Sequence, residues 1–255
     1  TYGDTEGQDP LTIPSLLRDL SITRGEVDVK LSVIVPVYNE RRTIERILGL
    51  VKSVPVDKEI IVVDDGSSDG TREILKKSFC DQTPFRVLLH QTNQGKGQAI
   101  RTGIAAAQGD AIIIQDADME YDPMDYIPLL EAIQTHKVNV VYGSRFMNKH
   151  KVTYAWHRFV NWSLTAFTNV LYGSRLIDME TCYKLFRAET LRGFTLESKG
   201  FEIEVELTAR TLKTRQRIVE VPISYSGRSF HEGKKIGWRD GVRALGSLIR
   251  YRFTR

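Results

Sequence analysis

The sequence predicts an α/β fold with a mostly parallel β-sheet flanked by helices. Short apolar runs rich in β-branched residues alternate with segments of helical periodicity through about residue 150. Such runs are typical of strands that are buried on both faces of a parallel sheet. In addition, polar clusters rich in aspartate and glycine follow several of these runs, as loops do at the carboxyl ends of parallel strands.

The elements follow one another as repeated strand, loop and helix units. The apolar runs predict strands over residues 31–37, 59–63, 86–90, 111–115, 138–142 and 218–223. Helical spacing predicts helices over residues 43–51, 71–77, 98–107, 154–172, 201–212 and 238–253. We expect a surface tail over 1–29 with one short helix, a first lobe over 30–150, a second lobe over 151–237 and a terminal helix over 238–255. The two lobes form one domain, since no spacer rich in Pro, Gly or Ser separates them.

Composition limits the class of protein. The 255 residues are 41% hydrophobic and 27% charged, which is typical of a globular protein and not of a disordered or fibrous one. The net charge of +4 is too small to indicate nucleic-acid binding, and no nucleic-acid motif is present. Cys80 and Cys182 lack the spacing of a zinc site or a disulfide scaffold, so a reducing cytosol fits best. No apolar run reaches the roughly 18 residues of a membrane span, so we expect a cytosolic protein without one.

The segment Asp116-Ala117-Asp118 is the sharpest candidate site. It follows the apolar run 111–115, so its two carboxylates should lie at the mouth of the sheet. Carboxylates so placed can converge on a hard cation such as Mg²⁺ or Mn²⁺, and Glu120 could add a third oxygen. The alternative is a polar turn in which the aspartates cap backbone groups.

Two further polar clusters follow predicted strands. In Asp64-Asp65-Gly66-Ser67, an acidic side chain could accept hydrogen bonds from a base or ribose, or could form an ordinary Asx turn. The cluster 93–98, Asn-Gln-Gly-Lys-Gly-Gln, has neither the phosphate-loop order nor the dinucleotide spacing. We interpret it as a glycine-rich turn that opens the helix containing Arg101.

Taken in order, these motifs resemble those of the family 2 glycosyltransferases. The resemblance covers about residues 30–240 and is greatest for the dolichyl- and polyprenyl-phosphate sugar synthases. It implies the GT-A fold, a Rossmann-like, mostly parallel sheet flanked by helices, in which the first lobe binds the nucleotide sugar and the second lies on the acceptor side. The motifs that carry it are Val35-Pro36-Val37-Tyr38-Asn39-Glu40, Val63-Asp64-Asp65-Gly66-Ser67, Asn93-Gln94-Gly95-Lys96-Gly97, Asp116-Ala117-Asp118 and Gly143-Ser144-Arg145.

The resemblance also implies roles for individual residues. Those at positions that contact the donor nucleotide are Pro36, Tyr38, Glu40, Val63 and Asp65. Those at the metal and diphosphate site are Asp116, Ala117 and Asp118, with Glu120 where some relatives place a further ligand, often Gln. Those near the phosphates are Arg145 and, in a loop that closes over them, Arg228 and Lys234.

The predicted reaction is metal-dependent transfer of a hexose, with inversion, from a UDP-sugar or GDP-mannose to a polyprenyl phosphate. Asp118 and Arg145 are the predicted catalytic residues. A phosphate acceptor is already an anionic nucleophile, so it needs cations rather than a base. Candidate cations are Arg145, Arg158 and Arg228, although Arg158 could equally be a solvated residue on its helix. The sequence leaves the sugar, the nucleotide and the oligomeric state open.

Two alternatives stay open. A hydroxyl acceptor would require a carboxylate base, for which Asp178 and Glu180 are candidates, unless each forms a helix cap or an ion pair. A non-catalytic nucleotide-binding module is a more remote alternative. A dinucleotide enzyme is disfavoured because G-x-G-x-x-G does not follow the first strand.

The terminal helix bears on membrane contact. Trp238, Val242, Leu245, Ile249 and Phe253 share one face of it, and Arg239, Arg243 and Arg250 share the other. A basic amphipathic helix of this kind can lie in the interface of an anionic bilayer. Alternatively, its apolar face packs on the catalytic lobe, as in most amphipathic helices.

Overall fold

The computed structural model describes residues 29–80, 82–147, 155–227 and 238–254, without the side chains of residues 155–157, 238–240 and 242. Its strands are β1 (Leu31–Val37), β2 (Lys58–Asp64), β3 (Phe85–Leu89), β4 (Ala111–Ile114), β5 (Val140–Ser144), β6 (Lys184–Arg187) and β7 (Ile218–Pro222). Its helices are α1 (Ile44–Ser53), α2 (Thr71–Ser78), α3 (Lys96–Ala106), α4 (Tyr126–Thr135), α5 (Ala155–Tyr172), α6 (Ala188–Arg192), α7 (Ile203–Lys213) and α8 (Trp238–Phe253). The predicted tail lies outside the described residues, except for Val29.

The seven strands form one sheet in the order β3-β2-β1-β4-β6-β5-β7. Every pairing is parallel except those of β6, which runs antiparallel between β4 and β5. The predicted mostly parallel α/β fold is therefore confirmed. As a consequence, the carboxyl ends of the six parallel strands lie at the same edge of the sheet.

One helix, α4, was absent from the sequence prediction. It begins at Tyr126, directly after a short 3₁₀ turn over Pro123–Asp125, and the side chain of Asp122 accepts a hydrogen bond from the Met124 amide. Pro128 lies in its first turn, where a missing backbone N–H costs nothing because that N–H has no helical partner. A proline inside an apolar segment therefore concealed the helix.

Two apolar cores hold the chain together. The first surrounds the sheet, and the second joins α5, α7 and α8 through Leu164, Val205 and Leu248. Helix α8 buries Ala244, Leu248 and Tyr251, whereas Leu245, Ile249 and Phe253 of the predicted apolar stripe are exposed. The predicted stripe is thus not the face that packs on the domain. Within the described residues, no helix has the length and apolar character needed to cross a bilayer.

Candidate active site

The candidate site lies at the sheet edge where the parallel strands end. The loops that follow β1, β2, β4 and β5 meet there, and β6 begins there because it runs in the opposite direction. Loops at the carboxyl ends of parallel strands are the usual ligand-binding region of open α/β sheets.

Asp116 is paired with a lysine from the glycine-rich turn. The Nζ atom of Lys96 lies 2.7 Å from Asp116 Oδ1 and 3.2 Å from Glu204 Oε1, and Lys184 Nζ lies 2.8 Å from Glu204 Oε2. Burial by itself would lower the pKa of Lys96, but Asp116 and Glu204 raise it well above its ordinary value. Lys96 is therefore a fixed cation beside the predicted diphosphate site, and the turn has a larger role than the one we predicted.

The third predicted metal ligand, Glu120, has a different partner. Its Oε2 atom accepts a hydrogen bond of 2.8 Å from the Tyr225 hydroxyl, and its carbonyl accepts one of 2.9 Å from the Ser226 amide. In the part of the chain that the structure describes, no three His, Cys, Asp or Glu side chains are grouped to hold a metal ion. The predicted three-carboxylate set is therefore not assembled.

Asp116 and Asp118 nevertheless suit a divalent cation. Both follow β4, and Asp118 Oδ1 accepts a hydrogen bond of 3.1 Å from the Glu120 amide, which fixes the turn. Mg²⁺ is usually bound by one or two carboxylates together with substrate phosphates and water, so it does not require a third protein carboxylate. These two side chains and a diphosphate would form a site of that kind.

Asp65 holds the glycine-rich turn in place. Its Oδ1 atom accepts hydrogen bonds from the Gln94 amide and contacts His90 Nδ1 at 2.7 Å, and its Oδ2 atom accepts one from the Gly95 amide at 2.8 Å. Because both oxygens are engaged and the residue is buried, this arrangement does not favour the predicted contact with a base or ribose.

The other predicted nucleotide contacts line the same edge. Tyr38 is exposed just after β1, and Glu40 accepts a hydrogen bond of 3.0 Å from the Thr43 hydroxyl. Val63 and Ala117 are buried, so they can present only their backbone to a ligand. Pro36 pairs with Val63 in the sheet.

Arg145 is held by a buried carboxylate. Asp178, which is fully buried, accepts hydrogen bonds of 2.7 Å from both Nε and Nη2 of Arg145. Glu220 in turn accepts the Ile177 and Asp178 amides at 2.8 and 2.9 Å. The Arg145 guanidinium lies 5.2 Å from the centre of the Tyr225 ring. Asp178 therefore positions a cation, and this use of both its oxygens does not suit the predicted role of a base.

Glu180 is the other candidate base. Its Oε1 atom is buried and has no hydrogen-bond partner among the described residues. Burial raises the pKa of Glu180, although Lys184 and Arg145 oppose that rise. Glu180 is thus the carboxyl group that better suits proton transfer.

The remaining predicted cations are less defined. Arg158 is exposed on α5, three residues before Asn161, whose Oδ1 atom lies 3.3 Å from Arg145 Nη2. Arg228 and Lys234 lie outside the described residues. Sequence reasoning missed Glu204, Lys184 and Glu220, because they contact the site only after β6, β7 and α7 assemble around it.

We expect Gly97→Ala to disturb the position of Lys96. A Cβ atom at Gly97 would lie 2.8 Å from the carbonyl carbon of Ser198, which is backbone and cannot yield as a flexible side chain can. The substitution should lower the unfolding midpoint and raise the KM for the nucleotide sugar. Gly49→Ala is the matched control, because its Cβ would meet nothing within 4 Å. An unchanged KM for Gly97→Ala would contradict the role assigned to Lys96.

Comparison with known proteins places this fold and site. A family model described as "Glycosyl transferase family 2" matches residues 32–194. The chain is 32% identical over 218 residues to "Undecaprenyl-phosphate mannosyltransferase" of Micrococcus luteus, covering 82% of this chain and 88% of that protein. It is 29% identical over 240 residues to "Polyprenol monophosphomannose synthase" of Mycolicibacterium smegmatis, covering 91% of this chain and 86% of that protein.

A third relative and two solved structures agree. "Dolichol-phosphate mannosyltransferase" of Pyrococcus furiosus is 28% identical over 222 residues, which cover 82% of this chain and 60% of that protein. Glucosyl-3-phosphoglycerate synthase from Mycobacterium tuberculosis, in complex with phosphoglyceric acid, has a TM-score of 0.69 at 20% identity and covers 98% of this chain and 87% of that chain. Its complex with Mg²⁺ and uridine diphosphate has a TM-score of 0.68 at 20% identity, with coverages of 97% and 86%.

The fold and the sheet edge thus define a GT-A glycosyltransferase. More narrowly, the chain belongs to glycosyl transferase family 2, as the motifs predicted.

Proposed function

We propose that this glycosyltransferase moves a mannosyl group, with inversion, from a nucleotide diphosphosugar to a polyprenyl phosphate. The observation that carries the acceptor class is the bonding of both Asp178 oxygens to Arg145. It turns one of the two candidate bases into the holder of a cation, and a phosphate acceptor needs a cation and no base. The names of the three relatives support mannose and a polyprenyl phosphate acceptor.

In this proposal an acceptor phosphate oxygen attacks the anomeric carbon while the bond from that carbon to the diphosphate breaks. Arg145 holds the acceptor phosphate against repulsion by the donor. Lys96 stabilises the charge that develops on the departing nucleoside diphosphate. The glycine-rich turn that Asp65 holds places Lys96 beside Asp116.

Asp116 and Asp118 would hold Mg²⁺ or Mn²⁺, which would supply positive charge to the diphosphate. Crystal structures of the fold neighbour carry either metal together with uridine diphosphate, which supports this assignment. We propose that Glu120 is not a ligand, because Tyr225 engages it.

The product distinguishes the acceptor classes. With radiolabelled GDP-mannose and polyprenyl phosphate, the proposal predicts label that partitions into organic solvent and is released by mild acid. Label that stays in the aqueous phase as a glycoside would contradict it.

A hydroxyl acceptor is the second candidate function, because Glu180 has a buried oxygen without a hydrogen-bond partner among the described residues. A base must be deprotonated to act, so its activity would fall as the pH falls through the raised pKa of Glu180. We expect Glu180→Gln to keep transfer to polyprenyl phosphate within a few-fold. A loss of about 10²- to 10⁴-fold, together with loss of the acid limb of the pH profile, would instead establish Glu180 as a base.

A further inference from the structure

Helices α5 and α8 lie side by side and leave apolar residues exposed along their junction. The Tyr172 hydroxyl donates a hydrogen bond of 2.9 Å to the Leu248 carbonyl, and Arg252 Nε donates one of 3.1 Å to the Leu171 carbonyl. Val170 and Phe253 flank the second of these contacts, with exposed fractions of 87% and 78%. They are the two most exposed large apolar residues in the described part of the chain.

The exposed apolar surface extends along both helices. On α5, Phe159 and Trp162 are exposed and their ring centres lie 6.1 Å apart. On α8, Leu245 and Ile249 are exposed one and two turns before Phe253. We call these six residues, with Val170 and Phe253, the α5–α8 patch. Contiguous exposed apolar surface of this kind marks an interaction site.

The charge around the α5–α8 patch is positive. The two helices contain five arginines, Arg158, Arg239, Arg243, Arg250 and Arg252, and one acidic residue, Asp240. Arg243 and Arg250 are exposed on α8, and Arg158 is exposed on α5. A second copy of the chain would bring like charges together at this surface, whereas an anionic bilayer would be attracted to it.

We propose that the α5–α8 patch docks on an anionic membrane surface, with its apolar residues in the interface and its arginines at the lipid headgroups. This inference rests on the proposed acceptor only for its purpose. Asn161, which contacts Arg145, lies on α5 between Phe159 and Trp162 of the patch. Docking would therefore bring the acceptor cation close to the headgroup region, where a polyprenyl phosphate presents its phosphate.

The test is sedimentation of the full chain with vesicles. We expect binding to vesicles of phosphatidylcholine mixed with phosphatidylglycerol, and weak binding to phosphatidylcholine alone. Neutralising two headgroup contacts in Arg243→Gln/Arg250→Gln should weaken binding about 30-fold, from about 1 kcal/mol for each arginine. Trp162→Glu/Phe253→Glu should weaken it at least about tenfold, because a carboxylate then faces the interface. The matched controls Leu50→Glu and Arg46→Gln/Arg86→Gln, at exposed sites elsewhere, should bind like the parent.

A second readout separates this inference from the proposed function. Transfer to a short-chain, water-soluble polyprenyl phosphate should be the same in the patch variants and the parent, because no docking is needed. If no variant transfers to that acceptor while vesicle binding follows the predicted pattern, the proposed function fails and the docking surface stands. Unchanged vesicle binding by the patch variants would overturn the docking surface. So would a parent dimer that these variants dissociate, since a second copy would then cover the patch.

Discussion

Asp118→Asn is expected to lower glycosyl transfer by about 10²- to 10³-fold, which is the usual cost of losing one group that stabilises developing charge. The amide removes the negative charge with which Asp118 would hold a divalent cation at the diphosphate. The local structure should persist, because an amide oxygen can still accept the hydrogen bond from the Glu120 amide. The measurement is initial rate at saturating donor, as a function of Mg²⁺ and Mn²⁺ concentration.

Asp57→Asn is the matched control for this substitution. Asp57 is an exposed aspartate just before β2, at the opposite edge of the sheet, so its substitution should leave the rate unchanged. Both variants should unfold at the parent midpoint. An Asp118→Asn enzyme with the parent rate and the parent metal dependence would contradict the assignment of Asp118.

Asp178→Ala is expected to destabilise the fold by about 3–5 kcal/mol, the usual cost of removing one partner of a buried ion pair. The Arg145 guanidinium would lose both of its 2.7 Å hydrogen bonds to Asp178 while its side chain stays largely buried. Transfer should fall as well, because Arg145 would no longer be fixed at the site. Urea unfolding measures the change in stability directly.

Glu197→Ala provides the contrast with an exposed pair. Glu197 Oε2 lies 3.1 Å from Arg250 Nη2, and both side chains are about half exposed or more. Exposed pairs of this kind contribute about 0–1 kcal/mol, so this variant should unfold close to the parent midpoint. If Asp178→Ala were no less stable than Glu197→Ala, the Arg145–Asp178 pair would not have the structural role assigned to it.

The fold could be predicted because it depends on local patterns. The first strand begins and ends where the apolar run 31–37 predicts, and helix α8 has its predicted bounds. The antiparallel direction of β6 could not be predicted in this way. The same short apolar run would suit either direction, and the choice depends on its position between β4 and β5.

The site was predicted in its location more than in its contacts. The motifs indicated the edge of the sheet at which Asp116, Asp118 and Arg145 lie, because strand ends are visible in the sequence. The partners of these residues come from distant segments, as Glu204 does for Lys96 and Glu220 does for the backbone at Asp178. No spacing in the sequence links such segments, so only the assembled fold brings them together.

The acceptor phosphate is the central claim, and release of nucleoside diphosphate tests it most directly. GDP-mannose, UDP-glucose and UDP-N-acetylglucosamine would each be supplied with Mg²⁺ or Mn²⁺, and with polyprenyl phosphate, free polyprenol or no acceptor. The account predicts release from GDP-mannose that requires polyprenyl phosphate and stops with a chelator. Equal release with free polyprenol, or release that no lipid phosphate changes, would contradict it.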